Sequence, residues 1–375
     1  MSSFSLKDHQ FMQRAIHLAK RGHYTTSPNP RVGCVIVRND EIVGEGFHQK
    51  AGQGHAEVHA LQQAGSKAKG ATAYVTLEPC SHFGLTPPCA EALIKAQVSH
   101  VIAAMVDPNP KVSGRGLKLL QAAGISTEFG LLEQDARDLN PGFIQLMTTK
   151  MPYVRCKLAA SLDGKTAMAS GESQWITSAD ARSDVQRLRA QSCAVICGAD
   201  SVIVDGARMN VRWSGLGALK QQYPEAEIRQ PVRVIIDGKN RLTPDLAIFQ
   251  VPSKILLIRH SIEKRQAWPH FVEQVIIAKA ANSDYIKLQL LLEYLAQQGL
   301  NDLLIESGAQ LAGAFISQDL VDELILYQAP KLLGSEGKSL VNLPTIAQLA
   351  EAKNLAISDM RMVGIDIRLT AKFSR

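Results

Sequence analysis

His55-Ala56-Glu57, then Pro79-Cys80, then Cys89 constrain this chain more than any other feature in it. One imidazole and two thiolates hold a Zn²⁺ with three protein ligands, and a set of three leaves one coordination position for water. A closed four-ligand site reads as structural. An open one with a carboxylate beside it reads as catalytic, and Glu57 is that carboxylate. Whatever the fold, it must bring segments spread from residue 55 to residue 89 to one point.

Residues two apart on a helix face different sides, so His55 and Glu57 converge only from a helix's first turn, where side chains project past its end. The sequence offers that setting: Gly52-Gln53-Gly54 reads as a loop and Ala56 to Ala64 as a helix. Cys80 follows a strand-like run, Ala73 to Leu77, and Cys89 opens a helical run from Ala90 to Ala96. A thiolate at a helix N-terminus is favoured by the helix dipole. His82 is a second candidate for the third ligand; Cys89 is the expected one.

A chain of 375 residues is too long for one comfortable core, so two domains are expected. The first alternates helix and strand. Asp8 reads as the cap of a helix striped by Phe11, Met12, Ala15, Ile16 and Ala19. Strands are expected at Val32 to Val37, Glu41 to Gly46, Val101 to Val106 and Ile125 to Phe129, with helices at Leu117 to Ala123 and Glu133 to Met147. Such alternation implies an α/β layered domain with a largely parallel sheet. The boundary falls at Thr148 to Pro152, giving domains 1–150 and 151–375.

The second series has strands at Tyr153 to Ala159, Ala194 to Cys197, Val232 to Asp237, Ile255 to Ile258, Leu303 to Glu306 and Glu323 to Gln328. Helical patterns lie at Asp180 to Arg189, Asp284 to Gln298 and Gln310 to Ile316, and the polar stretch from Ser214 to Gln230 reads as a surface insertion.

The net charge of +6 is spread evenly, about +3 on each side of residue 150, with no basic block, so nucleic acid is not an expected partner. Six cysteines in a chain this long do not make a disulfide scaffold. The N-terminus lacks the apolar stretch of a signal peptide and no run is long enough to span a membrane. A reducing cytoplasm is the expected location.

Polar residues collect at strand ends in the second half: Lys157, Asp163-Gly164-Lys165, the loop Ser170 to Thr177, Asp205 in a loop ending at Arg212, and Glu306 to Gly313 running from a strand end into a helix. Exposed backbone N–H groups there suit a nucleotide phosphate, and open α/β sheets bind ligands outside the carboxyl ends of their strands. From the residues alone this is a ligand-binding α/β domain.

The H-x-E…P-C pattern is the signature of zinc deaminases, in which the Glu shuttles protons and is not a ligand. The eight residues between Cys80 and Cys89 depart from the generic C-x-x-C spacing. They match the form used by the bifunctional deaminase/reductase family of riboflavin biosynthesis, which the chain resembles from about Phe11 onward. The strings that carry the resemblance are SPNPRVGCVIV, HAEVHAL, TLEPCSHFG, TPPC, DPNPKVSGRG, LAASLDGKTAMASGESQWIT and VDELILYQAPKLLG.

The resemblance implies a cytidine-deaminase-like three-layer domain followed by a dihydrofolate-reductase-like α/β domain. It implies hydrolysis of the 2-amino group of a phosphorylated diaminopyrimidinone, and then NADPH-dependent reduction of its ribosyl group to ribityl. It implies one Zn²⁺ per chain on His55, Cys80 and Cys89, with Glu57 catalytic. Ala159, Trp175, Ser201, Asp205, Gly238, Gly308, Ala309, Gln310, Leu311, Ala312, Gly313 and Ala314 would line NADPH. Asn29 and His48 in the first domain, and Lys157, Ser173, Arg189, Met209, Arg212 and Glu306 in the second, would hold substrate, with Arg189 and Arg212 as phosphate clamps and Lys157 or Asp205 assisting sugar-ring opening. A homodimer or higher homo-oligomer, built through the C-terminal domain, is the implied assembly.

Two positions depart from the family. Leu85 stands where relatives carry Arg or Lys, which weakens phosphate binding unless Lys50, Lys111 or Arg115 compensates. Gly206 stands where they carry Pro. The competing reading is a zinc-dependent nucleotide or tRNA deaminase with an accessory nucleotide-binding domain.

Overall fold

The computed structural model describes residues 4–81, 87–110, 112–262, 266–280 and 285–374. Two compact units divide the chain, Met1–Lys150 and Met151–Arg375.

The first unit runs α1 (Leu6–Lys20), β1 (Gly33–Arg38), β2 (Glu41–Phe47), α2 (Ala56–Ala64), β3 (Thr72–Val75), α3 (Cys89–Lys95), β4 (His100–Ala103), α4 (Arg115–Ala122), β5 (Ser126–Phe129), α5 (Glu133–Leu139) and α6 (Pro141–Thr149). The sheet order is β2-β1-β3-β4-β5. β1 is antiparallel to both β2 and β3, while β3, β4 and β5 are parallel. The sheet is therefore mixed rather than largely parallel, because the Asn39-Asp40 turn makes β1 and β2 a hairpin. One apolar cluster packs the alanine stripe of α2 (Ala56, Ala60, Ala64) against β1 and β3; the other packs α1 against Val35 and Tyr74. The α2 approach needs glycine. A Cβ on Gly46 would lie 2.3 Å from the Ala56 carbonyl oxygen, and one on Gly44 would lie 2.2 Å from that of Ala60. Those two glycines let α2 settle directly on β2, which fixes where its first turn points.

Two local expectations are corrected. Ser5, not Asp8, caps α1: Ser5 Oγ accepts from the Asp8 N–H and the Asp8 carboxylate accepts from the Ser5 N–H, a reciprocal box. The stretch expected as one helix from Glu133 to Met147 is two, broken at Asn140, because Pro141 starts α6 at its first position and has no N–H to continue α5.

The second unit runs β6 (Tyr153–Ser161), β7 (Lys165–Ala167), α7 (Ala179–Gln191), β8 (Ala194–Gly198), α8 (Ala199–Asp205), β9 (Val232–Ile236), β10 (Ile255–Arg259), β11 (Val272–Ile276), α9 (Leu288–Gln297), β12 (Asp302–Glu306), α10 (Ala309–Ser317), β13 (Glu323–Ala329), β14 (Lys338–Ser339), β15 (Leu355–Val363) and β16 (Asp366–Phe373). Nine strands form one sheet, ordered β11-β10-β9-β8-β12-β6-β13-β16-β15. The seven from β11 to β13 are parallel, and β16 and β15 add an antiparallel hairpin. Apolar clusters cover the sheet, one built on α9 and α10 and the other on α7 and α8. The parallel strands bring the carboxyl ends of β6, β8, β9 and β12 to one edge.

The segment expected as a surface insertion is tied down: Leu216 is fully buried and the 3₁₀ turns from Trp213 to Gln221 pack on α7. Asp205 is the last residue of α8, not a loop residue, and Gly206 ends that helix in the left-handed region at φ 58°.

Candidate functional site

In the first unit the metal-ligating side chains are set by element ends. His55 is the N-cap of α2, with extended φ/ψ of −77° and 171°, so its ring projects beyond the helix; Glu57 sits in the first turn. Cys89 opens α3 and Cys80 lies on the segment leaving β3. His55 Nδ1 is 3.2 Å from Cys89 Sγ and 3.6 Å from Cys80 Sγ, and all three ligand atoms lie within 4.8 Å of one another. A tetrahedral zinc with bonds of 2.0–2.3 Å has ligand-to-ligand edges of about 3.5 Å. One imidazole nitrogen and two sulfurs at these separations fit zinc, and among the described residues they are the one such cluster. His82, Leu85 and Lys111 lie outside the described residues.

The electrostatics match that use. The backbone N–H of Cys89 donates to Cys80 Sγ at 3.2 Å. Of the two coupled thiols Cys80 ionises first, since the Cys89 side chain, the His55 ring and that amide all favour its thiolate, and Cys89 is held up. Glu57 is 3% exposed; burial, reinforced by the charge on Cys80, pushes its carboxyl up to about 7. A carboxyl balanced there both accepts and returns a proton.

His48 is buried, stands edge-on to the His55 ring at 5.3 Å, and its Nδ1 is 3.1 Å from the Gly54 carbonyl oxygen. That carbonyl makes Nδ1 the protonated nitrogen, so Nε2 accepts from Asn29 Nδ2 at 3.2 Å. Burial lowers the pKa of His48 and keeps it neutral. Asn29 and His48 thus form a coupled pair beside the metal ligands. Sequence reasoning missed Glu78. Its buried carboxylate accepts four backbone N–H groups, from Asp107, Gly114, Gly116 and Leu117, and so ties the start of α4 to the segment carrying Cys80.

The second unit holds a cavity of about 1350 Å³ at the carboxyl ends of its parallel strands. Lining it are Ala159, Trp175, Ser201, Asp205, Gly238, Gly308, Ala309, Gln310, Leu311 and Ala314, together with Lys157, Ser173, Arg189, Met209, Arg212 and Glu306. Ala312 and Gly313 stand apart from this set. Ala312 is in the core, and a Cβ on Gly313 would lie 2.0 Å from the Asn342 carbonyl oxygen, so both serve the packing of α10. The nine-residue α10 has Gly308 as its N-cap, with no side-chain cap, so its first N–H groups are available to phosphate.

Arg189 meets Glu306 in a two-pronged pair, Nε–Oε1 2.6 Å and Nη2–Oε2 2.9 Å, and its Nη1 donates to the Asn210 carbonyl at 3.0 Å. Burial alone would raise the Glu306 carboxyl, but the Arg189 charge and hydrogen bonds, with Lys157 and Arg212 behind them, hold it below its ordinary value. Lys157 lies beside Glu306 in the β12–β6 register, and burial lowers its pKa against the pull of that carboxylate. Trp175 is 63% exposed, with the Arg182 guanidinium 4.5 Å above its ring. Arg182 itself was not anticipated. Its signal was the seven-residue step to Arg189, two helical turns along the cavity-facing side of α7.

Residues 5–105 match the family described as the cytidine and deoxycytidylate deaminase zinc-binding region, and residues 152–367 match the RibD C-terminal domain. The chain is 52% identical over 365 residues to the riboflavin biosynthesis protein RibD of Escherichia coli, covering 97% of this chain and 99% of that protein. With the protein of the same name from Haemophilus influenzae the identity is 51% over 371 residues, covering 99% and 98%. The chain belongs to the RibD family.

As a RibD protein it carries the two enzymes of that family in one chain, a zinc-dependent deaminase and an NADPH-dependent reductase of riboflavin biosynthesis. The RibD structure from Acinetobacter baumannii, 47% identical, superposes with a TM-score of 0.90 over 98% of this chain and 99% of that one. A Thermotoga maritima structure described as a diaminohydroxyphosphoribosylaminopyrimidine deaminase/5-amino-6-(5-phosphoribosylamino)uracil reductase is 31% identical, with a TM-score of 0.84 over 98% and 99%. RibD membership across both units decides against a nucleotide or tRNA deaminase with an accessory domain. No helix among the described residues is long and apolar enough to cross a membrane.

Proposed function

We propose that residues 1–150 hydrolyse the 2-amino group of 2,5-diamino-6-(5-phosphoribosylamino)pyrimidin-4(3H)-one, and that residues 151–375 reduce the ribosyl group of the deaminated product to ribityl. The observation that carries the reading is the convergence of His55, Cys80 and Cys89 beside the buried Glu57, in a chain whose second unit has a separate cavity.

In the first site His55 Nδ1 and the thiolates of Cys80 and Cys89 would hold zinc, which when bound would supply a water acidic enough to attack at neutral pH. Glu57 would take that water's proton, deliver it to the ring nitrogen next to the attacked carbon, and move a proton to the departing amine. Burial keeps Glu57 from resting in water as a plain carboxylate. Asn29 orients the pyrimidine, with His48 holding its amide in place.

In the second site NADPH supplies the hydride, and the protein's part is to position and polarise. The N–H groups at the start of α10 would hold the cofactor's pyrophosphate, and Trp175, Ser201 and Asp205, which line the cavity, would flank it. Glu306 accepts from substrate hydroxyls. The forked pair commits Arg189 to holding Glu306, so the substrate phosphate falls to Arg212, whose guanidinium faces the cavity. Lys157, half-buried beside Glu306, donates the proton that opens the sugar ring; its lowered pKa makes it a better acid than a solvated lysine.

The chain works in the reducing cytoplasm, a reading supported by six free cysteines. It pairs through its C-terminal unit, where the edge strand β15 exposes Ile357, Met360 and Met362. Light scattering giving one chain per particle would refute the pairing.

The deciding experiment follows ammonia release and NADPH consumption on the pathway substrate with zinc-replete protein. Both are expected, NADPH consumption depending on prior deamination. Ammonia release from free cytidine but none from this substrate would overturn the reading.

A further inference from the structure

Residues 206–212 have no regular secondary structure, yet Arg208, Met209, Asn210 and Arg212 line the cavity of the second unit. A stretch without a helix or strand ladder must find partners for its backbone elsewhere, and here side chains from other elements supply them. Arg233 Nη1 on β9 donates to the Arg208 carbonyl at 3.4 Å, and Arg189 Nη1 on α7 donates to that of Asn210 at 3.0 Å. Gln230 takes both sides of Val211, its Oε1 accepting the N–H at 2.8 Å and its Nε2 donating to the carbonyl at 3.0 Å. Gln186 Oε1 accepts the Arg212 N–H at 2.9 Å. Met209, inside this strap, sits at φ 54°, a conformation a methionine keeps only where its surroundings impose it.

Of the two glutamines, Gln186 is the buried one. It is 2% exposed, on the side of α7 that carries Arg182 and Arg189, and it too lines the cavity. Gly215 closes over it: the Gly215 N–H donates to the Arg212 carbonyl at 2.9 Å, and a Cβ there would lie 2.9 Å from Gln186 Cγ. The glutamine side chain and the bend from Arg212 to Gly215 are therefore fixed together. Arg212 itself is exposed, so its reach into the cavity starts from a backbone that Gln186 and Gln230 hold.

Resting on the reading of Arg212 as the holder of the substrate phosphate, we infer that Gln186 and Gln230 are positioning residues for that phosphate: acting through the backbone of Val211 and Arg212, they fix the origin and direction of the guanidinium that meets it. A guanidinium binds phosphate best through two parallel N–H bonds, and that geometry tolerates little drift of the backbone that carries it. The two glutamines are unequal. Removing the Gln186 oxygen leaves the Arg212 N–H unmet in a buried place, whereas water can stand in for the exposed Gln230. The segment from Ser214 to Gln230 thereby acquires a task. It leaves the strap at Arg212, is folded on itself by the bond from Trp213 Nε1 to the Tyr223 carbonyl at 3.1 Å, and returns to the strap at Gln230.

The test is steady-state reduction of the pre-deaminated substrate, and of the same compound freed of its phosphate, by the full chain and by Gln186→Met, Gln230→Ala, Arg212→Ala and Gln186→Met/Arg212→Ala. Gln186→Met is expected to raise KM for the phosphorylated compound by roughly 10-fold with kcat within about 3-fold, because the binding lost is common to ground and transition states. The dephosphorylated compound should respond by less than about 2-fold, and Gln186→Met should add nothing to Arg212→Ala, since the two act on one contact. Gln230→Ala should show the same phosphate dependence at roughly 3- to 5-fold, water replacing part of what it loses, and it carries the test should Gln186→Met not fold. Equal losses on both compounds in either glutamine variant, no loss in either, or losses that add to those of Arg212→Ala would overturn the inference while leaving Arg212 on the phosphate. An Arg212→Ala enzyme that handles both compounds as the unaltered one does would overturn the phosphate reading, and the inference with it.

Discussion

Arg189 and Glu306 lock together from different elements, α7 and the end of β12, with both side chains largely buried at 13% and 7% exposure. Lys157 stands on the next strand, in register with Glu306. The carboxylate therefore faces two cations, and the two ways of breaking the pair are unequal. Glu306→Leu leaves a buried arginine and a lysine without their acid and is expected to cost about 3–5 kcal/mol. Arg189→Met leaves Glu306 with Lys157 and should cost less. The double variant should recover much of the lost stability without recovering NADPH oxidation. Denaturant unfolding of the four proteins checks this, and equal losses in the two single variants would remove Lys157 from the account.

The same pair sets a pH dependence. Burial raises the Glu306 carboxyl, the charges around it lower it by more, and the net result lies below the ordinary value of 4.5. A depressed carboxyl contributes stability that is fully present above the unfolded value and is lost as the pH falls through the folded one. The stability difference between the unaltered protein and Glu306→Gln should hence be constant above about pH 5 and shrink below about pH 4.5. Melting curves from pH 7 to pH 3 read it, and a difference that grew on acidification would give the carboxyl the opposite shift.

Glu57 can be removed without touching a zinc ligand. Glu57→Gln should keep its zinc by elemental analysis, lose at least about 10²–10⁴-fold in ammonia release, and oxidise NADPH at the unaltered rate on pre-deaminated substrate. Stripping zinc with a chelator should abolish the first activity and spare the second. Deamination surviving in Glu57→Gln would transfer the proton shuttle to another group.

Much of the first site was legible because its chemistry and its local structure share the same few residues. A histidine at a helix start, a glutamate in the first turn and a cysteine opening the next helix follow from loop glycines and apolar periodicity, and α2 occupies Ala56–Ala64 as expected. Glu78 was hidden because its four partners are backbone groups near residues 107–117, which no side-chain pattern marks. The second site was less legible. Arg189 and Glu306 meet across 117 residues, and only the fold brings them together. Ala312 and Gly313 sit inside a run suggesting phosphate contact, yet the helical period turns them to the core while Leu311 and Ala314 line the cavity. The hairpin of β15 and β16 went unread because β15 exposes its apolar side chains, so no buried face alternates along it.

Glu78 gives the last prediction, since its carboxylate carries a whole loop. Gly114 and Asp107 donate to Oε2 at 2.9 and 3.1 Å, and Gly116 and Leu117 to Oε1 at 2.9 and 3.3 Å. The loop also presses on the ligand segment itself, for a Cβ on Gly116 would lie 2.0 Å from the Pro79 carbonyl oxygen. Glutamine keeps one acceptor oxygen but turns two N–H bonds toward donors that need an acceptor. Glu78→Gln should cost the first unit about 3 kcal/mol or more, from two hydrogen bonds to a charged group lost and two buried N–H groups unmet. Ammonia release should fall with it, as Cys80 loses its bracing, whereas NADPH affinity, which belongs to the other unit, should stay put. Melting followed by zinc release, alongside NADPH titration of the same sample, separates the two. A variant that melts and deaminates like the unaltered protein would mean the four N–H groups find water instead.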